Sequence, residues 1–445
     1  MFPTPGSTSA SLYERACKVM PGGTSRRSLY DMRSYVQSGS GCRVRDVDGN
    51  ALLDGSNNFM VLVHGHGHPP TVTALKEQLD RGISFGMAER TEVLLAETLC
   101  SRVAGTERVI FCSSGSEAVM HAMKAARALT QRPKIVKCEG LYHGSYDYAE
   151  VSNAPPVVPG SQGFPRALPY GPYTLPHVLD DTVVIPFNDA AVAEAVLREQ
   201  ADTIAGIVID LVPSRIGYAP AEQAFVKMLR RVCDEFGIVL IFDEVASFRL
   251  GHGGAQGMYD VVPDLTAFGK IIGGGLPVGA VGGTQAAMRI FDASSGDPTV
   301  SFTGTFNANP MSMAAGLATM EDFTPGKVTA LNGMGDRART GIAAGIRRMG
   351  LPATVRGFGS FVSLFFGPRV GNNYHSVAHR PEELATLRRF WSATLDRGML
   401  IDVSGRFNLS TAYTEADVDE AAEIVVAALE DAFDSAPSER TRAVA

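Results

Sequence analysis

Lys270 stands in Phe268-Gly269-Lys270-Ile271-Ile272-Gly273-Gly274-Gly275, directly after the apolar run 265–268. A lysine held among apolar neighbours loses part of its preference for the charged form and becomes a nucleophile toward aldehydes, able to form a Schiff base. Asp243 closes an earlier apolar run, Ile238-Val239-Leu240-Ile241-Phe242, and a carboxylate at the end of a parallel strand lies where such sheets bind ligands. Pyridoxal 5'-phosphate has needs that match this pair: an imine-forming amine, a carboxylate at its ring nitrogen, and a phosphate cradle. The candidate cradle is Ser114, Gly115 and Ser116, in a small polar turn after the apolar run 109–112 and before a segment rich in Ala and Met. Backbone N–H groups and hydroxyls converge on an anion at such a strand-to-helix junction.

Each residue has a plainer reading. Ser114 with Glu117 three positions on also fits an ordinary helix N-cap. A magnesium-binding role for Asp243 would require G-x-x-x-x-G-K-[ST]; here Ile271 follows Lys270 and Asp264 holds the first glycine position, so a nucleotide site fails. Tyr142, in Tyr142-His143-Gly144, could stack on a flat ring or sit in a core. The run His64-Gly65-His66-Gly67-His68 invites a metal, but its glycines and the following Pro69-Pro70 favour a turn, and no metal is assigned. Gly273-Gly274-Gly275 with Gly282-Gly283 lacks dinucleotide-fingerprint spacing.

The elements that must position these residues follow from pattern. Between about residues 71 and 283 helical periodicity alternates with short apolar runs at 109–112, 135–137, 204–210, 238–243 and 265–268, which predicts a mostly parallel sheet covered by helices. Residues 9–20 read as a helix, and 41–54 as a hairpin turning at Asp48-Gly49-Asn50. The stretch 154–176 holds Pro155, Pro156, Pro159, Pro165, Pro169, Pro172 and Pro176, and is predicted to be a long loop, a lid or a surface excursion. After Asn309 a long helical stretch leads to strand and helix patterns at 354–366, 382–397 and 415–433, and the polar tail 435–445 is predicted to fray. Domain boundaries are set at 1–70 for an N-terminal part of a small lobe, 71–320 for the large cofactor domain, and 321–445 for the rest of the small lobe.

Composition excludes several classes. With 445 residues, 45% apolar and 20% charged, the chain can bury a large core and a smaller one. A net charge of -7 argues against nucleic acid or an anionic membrane as partner. The six cysteines form no C-x-x-C pair, and neither a signal sequence nor an 18-residue apolar span is evident, so a cytoplasmic setting is expected.

The ordered set PGG (21–23), DVDGN (46–50), HGHGHP (64–69), SFG (84–86), SSGSEAVM (113–120), YHG (142–144), IFDEV (241–245), GKIIGGGLPVGAVGG (269–283) and GTFNANP (304–310) resembles the class III, fold type I pyridoxal-phosphate aminotransferases. Within them it is similar to the glutamate-1-semialdehyde aminomutase branch and to relatives that transaminate aromatic β-amino acids. The resemblance implies an α/β fold with a mostly parallel mixed sheet sandwiched by helices, plus a smaller α+β domain from both termini. It implies that Lys270 forms the internal aldimine and moves the proton, Asp243 binds the pyridine nitrogen, Val245 and Tyr142 cover the two ring faces, and Ser114, Gly115 and Ser116 hold the phosphate. Thr305 of a neighbouring subunit would join them, since the family's members are homodimers with shared sites. Arg26, shortly after PGG, and Arg406 are candidates for gripping the substrate carboxylate, each alternatively a surface arginine, and Ser84 is a further substrate-side candidate. Asp210 replaces the glutamate of a usual Glu-Pro pair, Ser214-Arg215 replaces the common sequence beside the ring, and Asn307-Ala308 replaces the Ser-Gly of the aminomutase gate. The expected activity is amino transfer between a β-amino or other nonstandard amino acid and a keto acid; an aminomutase or racemase on the same cofactor, and a non-catalytic binding protein of the same fold, are the alternatives.

Overall fold

The computed structural model describes residues 4–26, 34–157, 165–294, 296 and 298–434. The chain folds as two compact units: Met1–His68, Ala330–Arg369 and His379–Ala445 form one, and Pro69–Thr329 with Val370–Ala378 the other.

The first unit begins with helix Thr8–Val19, whose N-cap Ser7 accepts from Ala10 N, close to the predicted 9–20. Strands β1 (Val36–Ser40), β2 (Arg43–Asp46) and β3 (Ala51–Asp54) follow. β2 and β3 pair antiparallel as the predicted hairpin, with Arg43 opposite Leu53. Its turn is tied by Asp46, whose Oδ1 accepts from Asp48 N at 3.0 Å and Asn50 N at 2.8 Å, and Gly49 supplies φ +91°. The His-Gly run is a turn, with Gly65 at φ +76° and Gly67 at +64°. His64 Nδ1 meets Thr411 Oγ1 at 2.8 Å and His66 Nε2 meets Asp54 Oδ2 at 2.7 Å.

The larger unit is built on a seven-stranded sheet: β4 (Arg108–Cys112), β5 (Lys134–Cys138), β6 (Thr182–Ile185), β7 (Ile204–Ile209), β8 (Val239–Asp243), β9 (Leu265–Gly269) and β10 (Gly279–Gly283), in the order β4-β10-β9-β8-β7-β5-β6. The run β9-β8-β7-β5-β6 is parallel, and β10 lies antiparallel between β9 and β4. Isoleucines 204, 207 and 209 of β7 are fully buried, each contributing about 1.5–3 kcal/mol of transfer free energy. Helix Gly115–Thr130 buries Ala118, Ala122, Met123, Ala125 and Ala126, and its small residues permit a close approach: a Cβ on Gly206 of β7 would lie 2.8 Å from Ala126 Cβ.

Two of these strands differ from expectation. Gly279-Ala280-Val281-Gly282-Gly283 has few of the β-branched side chains that signal a strand, and in sequence it reads as part of a glycine-rich loop. Its glycines answer to space: a Cβ on Gly279 would lie 2.0 Å from Ser114 O, and one on Gly283 2.5 Å from Asp264 O. β6, short and at the sheet edge, has no counterpart among the predicted runs. In the proline-rich stretch no helix or strand forms over 154–157 and 165–175, helix Pro176–Asp180 opens with its proline at N1, and the rest of that predicted loop lies outside the described residues, as does the tail 435–445.

Helices Pro310–Asp322 and Pro325–Met349 carry the chain onward. Strands β11 (Ala353–Arg356), β12 (Phe361–Phe366), β13 (Met399–Leu400) and β14 (Arg406–Asn408), with helices Leu384–Asp396 and Glu415–Asp434, complete the first unit. β11, β12 and β14 make one antiparallel sheet, while β13 joins β3 in parallel, Met399 opposite Leu53, so segments from both ends of the chain share a sheet. The fold is α/β with a mixed sheet and flanking helices.

Glu244, fully buried after β8, ties the following loop: Oε2 accepts from Ser247 Oγ at 2.8 Å and Ala255 N at 3.1 Å, and Oε1 from Gln256 N at 2.6 Å. Glu244→Ala orphans all three donors and is expected to lower stability by about 3 kcal/mol, measured by denaturant unfolding.

Candidate active site

Lys270 follows β9 at the start of a single 3-10 turn, Lys270–Gly273, with φ +49°. For a non-glycine residue this backbone is uncommon and costs on the order of 1 kcal/mol, so the surrounding structure must impose it. The side chain is half-buried. Burial lowers its pKa, opposed by the negative charges of Asp243 and Asp210.

Those acids come from the carboxyl ends of adjacent parallel strands. Asp243 closes β8 and Asp210 stands one residue beyond β7, the two strands being in register at Ile209 and Phe242. Both are buried. Asp243 Oδ1 accepts from Val245 N at 3.0 Å and Oδ2 meets His143 Nδ1 at 2.8 Å, while Asp210 Oδ1 accepts from Val212 N at 2.9 Å. Desolvation, then the charge of Asp243, pushes the Asp210 carboxyl well above its ordinary range. Two carboxylates placed this way call for a cation.

The anion end lies at the helix Gly115–Thr130. Ser114 is its N-cap, Oγ accepting from Glu117 N at 3.2 Å, and Glu117 Oε2 accepts from Ser113 N at 2.6 Å, so the plain capping arrangement is formed. It leaves the first-turn N–H groups of Gly115 and Ser116 without carbonyl partners inside the helix. Ser116 Oγ accepts from Ser145 N at 3.2 Å. A Cβ on Gly115 would lie 2.6 Å from Val245 Cγ1, and one on Gly144, at φ +95°, 2.5 Å from Ser116 Oγ. Val245 therefore packs at the helix start, close to Gly269 as well.

Tyr142 is 48% exposed in the loop after β5, with the Arg215 guanidinium 5.9 Å over its ring. Ser84 and Thr305 lie exposed on two loops joined by Asn309 Nδ2 donating to Ile83 O at 3.1 Å. Ala308 holds φ +52°, keeping the backbone that a glycine would adopt. Arg26 and Arg406 belong to the other unit. Arg26 Nη1 donates to Asn58 Oδ1 at 2.7 Å and lines a cavity of about 390 Å³ with Tyr13, Tyr35, Phe59 and Asp402; Arg406 Nη2 lies 3.4 Å from Asp402.

In the Tyr142-His143-Gly144 motif, His143 carries no expected role in the sequence. The ring is buried against Asp243, lies 100 residues from it in sequence, and its Nε2 has no hydrogen-bond partner among the described residues. The signal was present in the motif, but only the fold could bring the loop after β5 to the end of β8.

The donor set suits pyridoxal phosphate: an amine, an acid pair for a ring cation, and a helix start kept open by glycines where a Cβ would intrude. The class-III aminotransferase model matches residues 25–429. The chain belongs to that family. An omega-transaminase from Sphaerobacter thermophilus is 43% identical with a TM-score of 0.93, covering 96% of this chain and 98% of its own. A β-phenylalanine aminotransferase from Variovorax paradoxus is 30% identical with a TM-score of 0.84, over 94% and 93%. A glutamate-1-semialdehyde 2,1-aminomutase from Methanothrix thermoacetophila is 38% identical over 405 residues, 89% of this chain and 90% of the relative. The chain is thus a pyridoxal-phosphate-dependent enzyme. Among the described residues no helix is long and apolar enough to cross a membrane.

Gly144→Ala, which sets a methyl against Ser116 in a left-handed backbone, is expected to weaken pyridoxal-phosphate binding by about tenfold, roughly 1.4 kcal/mol, in equilibrium titration of a folded protein.

Proposed function

We propose that this enzyme is an aminotransferase whose donor is a β-amino or other nonstandard amino acid and whose acceptor is a keto acid. The observation that carries the chemistry is Lys270, forced into left-handed backbone beside the acid pair at the strand ends. The donor class is supported by the 43% identity to an omega-transaminase and the 30% identity to a β-phenylalanine aminotransferase.

Pyridoxal phosphate, when bound, supplies an aldehyde for the incoming amine and an electron-poor ring that stabilises charge at the amine-bearing carbon. Lys270 Nζ would hold the aldehyde until the donor amine displaces it, and the freed amine would then accept the proton from the amine-bearing carbon; its depressed pKa favours the neutral form this needs. The Asp243 carboxylate holds a proton on the ring nitrogen, and His143 orients Asp243. Ser114, Gly115 and Ser116 bind the phosphate with hydroxyls and first-turn N–H groups, while Val245 and Tyr142 enclose the ring. Asp210, at the end of the strand next to that of Asp243, would add to the pull on a cation at the ring nitrogen.

For the donor carboxylate we assign Arg26 over Arg406. Among the described residues the Arg26 guanidinium contacts a neutral amide and the Phe59 ring, whereas Arg406 already faces the acid Asp402. Ser84 is assigned to the substrate side. We further propose a homodimer in which Thr305 completes the partner's phosphate site; Phe85, Met87 and Phe306 stand 47%, 85% and 65% exposed on the loops that carry Ser84 and Thr305. A cytoplasmic setting accords with the six free cysteines.

An aminomutase outcome has its own support in the semialdehyde aminomutases at 34–38% identity. The two differ in whether turnover needs a keto-acid acceptor. With β-amino acid donors, single half-reactions should convert the cofactor's visible band and stop until a keto acid is added; turnover without one overturns the aminotransferase reading. Lys270→Ala should lose the borohydride-sensitive band and at least about a hundredfold in rate. Arg26→Met should raise KM for carboxylate-bearing donors about tenfold and leave simple amines unaffected. Met87→Asp with Phe306→Asp should give an inactive monomer by light scattering.

A further inference from the structure

Lys137, in β5, is a fully buried cation outside the site described above. Its Nζ donates to Leu141 O at 2.9 Å, Ala149 O at 2.7 Å and Val151 O at 2.7 Å. An ammonium has three N–H groups and a neutral amine two, so three carbonyls at these distances select the ammonium; an amine would turn its lone pair toward one of them. Burial draws the pKa down to about 7, reinforced by the Arg215 charge and opposed by Cys138 and Glu150.

The carbonyls belong to the stretch that contains Tyr142, His143 and Gly144, so the cation fixes the loop on which the imidazole is mounted. The imidazole is held at Asp243 by a 2.8 Å hydrogen bond. Burial favours the neutral ring, Asp243 opposes it, and the Lys137 charge adds a smaller push toward the neutral form. Lys137 is faced in turn by Arg215, Cys138 and Glu150. A neutral His143 with its proton on Nδ1 donates to Asp243 and leaves the carboxylate its full negative charge. A protonated His143 would be an ion-pair partner in its own right, competing with a ring cation for the same oxygen atoms.

We propose that Lys137 is a positioning residue for the cofactor: its ammonium pins the stretch around Tyr142–Gly144 by three carbonyls and so holds the His143 ring against Asp243, whose charge is left to the pyridine nitrogen. This rests on Asp243 being the ring-nitrogen partner.

Lys137→Gln keeps two N–H donors and removes the charge; Lys137→Met removes both. Pyridoxal-phosphate affinity is measured for each from pH 6 to 9, with nitrogen NMR of His143 in the apoprotein and thermal melts to establish folding. In Lys137→Gln the His143 titration should move up by about half a pH unit or more, and affinity should fall about fivefold relative to wild type at pH 6.5 while converging with it at pH 9. Lys137→Met should add a loss that does not vary with pH. A folded Lys137→Gln protein with the wild-type affinity profile and an unmoved His143 titration overturns the proposal. If neither variant folds, nitrogen NMR of Lys137 in the wild type decides: an ammonium at pH 6.5 supports the proposal, and a neutral amine overturns it. Asp243→Asn separates the two levels, since unchanged affinity there would refute the ring-nitrogen assignment and leave the pinning by Lys137 standing.

Discussion

Two carboxylates buried at the ends of neighbouring parallel strands are the constraint around which this site is organised. Burial and the charge of Asp243 push the Asp210 carboxyl well above its ordinary range, so a cation close by is favoured, and the Lys270 amine and, as proposed, the ring nitrogen of pyridoxal phosphate are the groups to supply it. The strand ladder places the acids side by side, and hydrogen bonds from Val212 N and Val245 N to them are supplied by backbone alone. The acid pair thus follows from the sheet, and the need for positive charge follows from the acid pair.

Around this pair the protein uses backbone strain and glycine where shape matters. Lys270 adopts a left-handed conformation that costs stability and aims its side chain from the strand end. Gly115, Gly144 and Gly279 remove methyl groups that would meet Val245, Ser116 and the Ser114 carbonyl. Ala308 shows the opposite choice, keeping a left-handed backbone without glycine's freedom, which stiffens the turn that carries Thr305.

Much of this was legible in the sequence because the chemistry lies at ends of elements. Apolar runs closing on Asp243 and Lys270, and a polar turn before an Ala-rich helix, are local signals, and the parallel strands beside them follow from alternation. Besides the edge strand β6, three things close to the site were not legible. β10 was hidden because its glycines serve close packing, and a glycine-rich segment reads as a turn until its neighbours are known. His143 was hidden because its partner is 100 residues away and on another strand. Lys137 looked like any strand lysine, since only the fold shows three carbonyls turned toward it.

The antiparallel β10 has a geometric consequence. Gly279 stands opposite both Gly269, which precedes Lys270, and Cys112, two residues before Ser114. The backbone beside Lys270 and the backbone leading to Ser114, the proposed covalent and anion anchors, are therefore tied to a single rung, two interstrand spacings apart, or about 9.5 Å. On the proposed assignment, the sheet would set the spacing between the two backbone anchor points, and the same aldehyde stripped of its phosphate would be left with one of them.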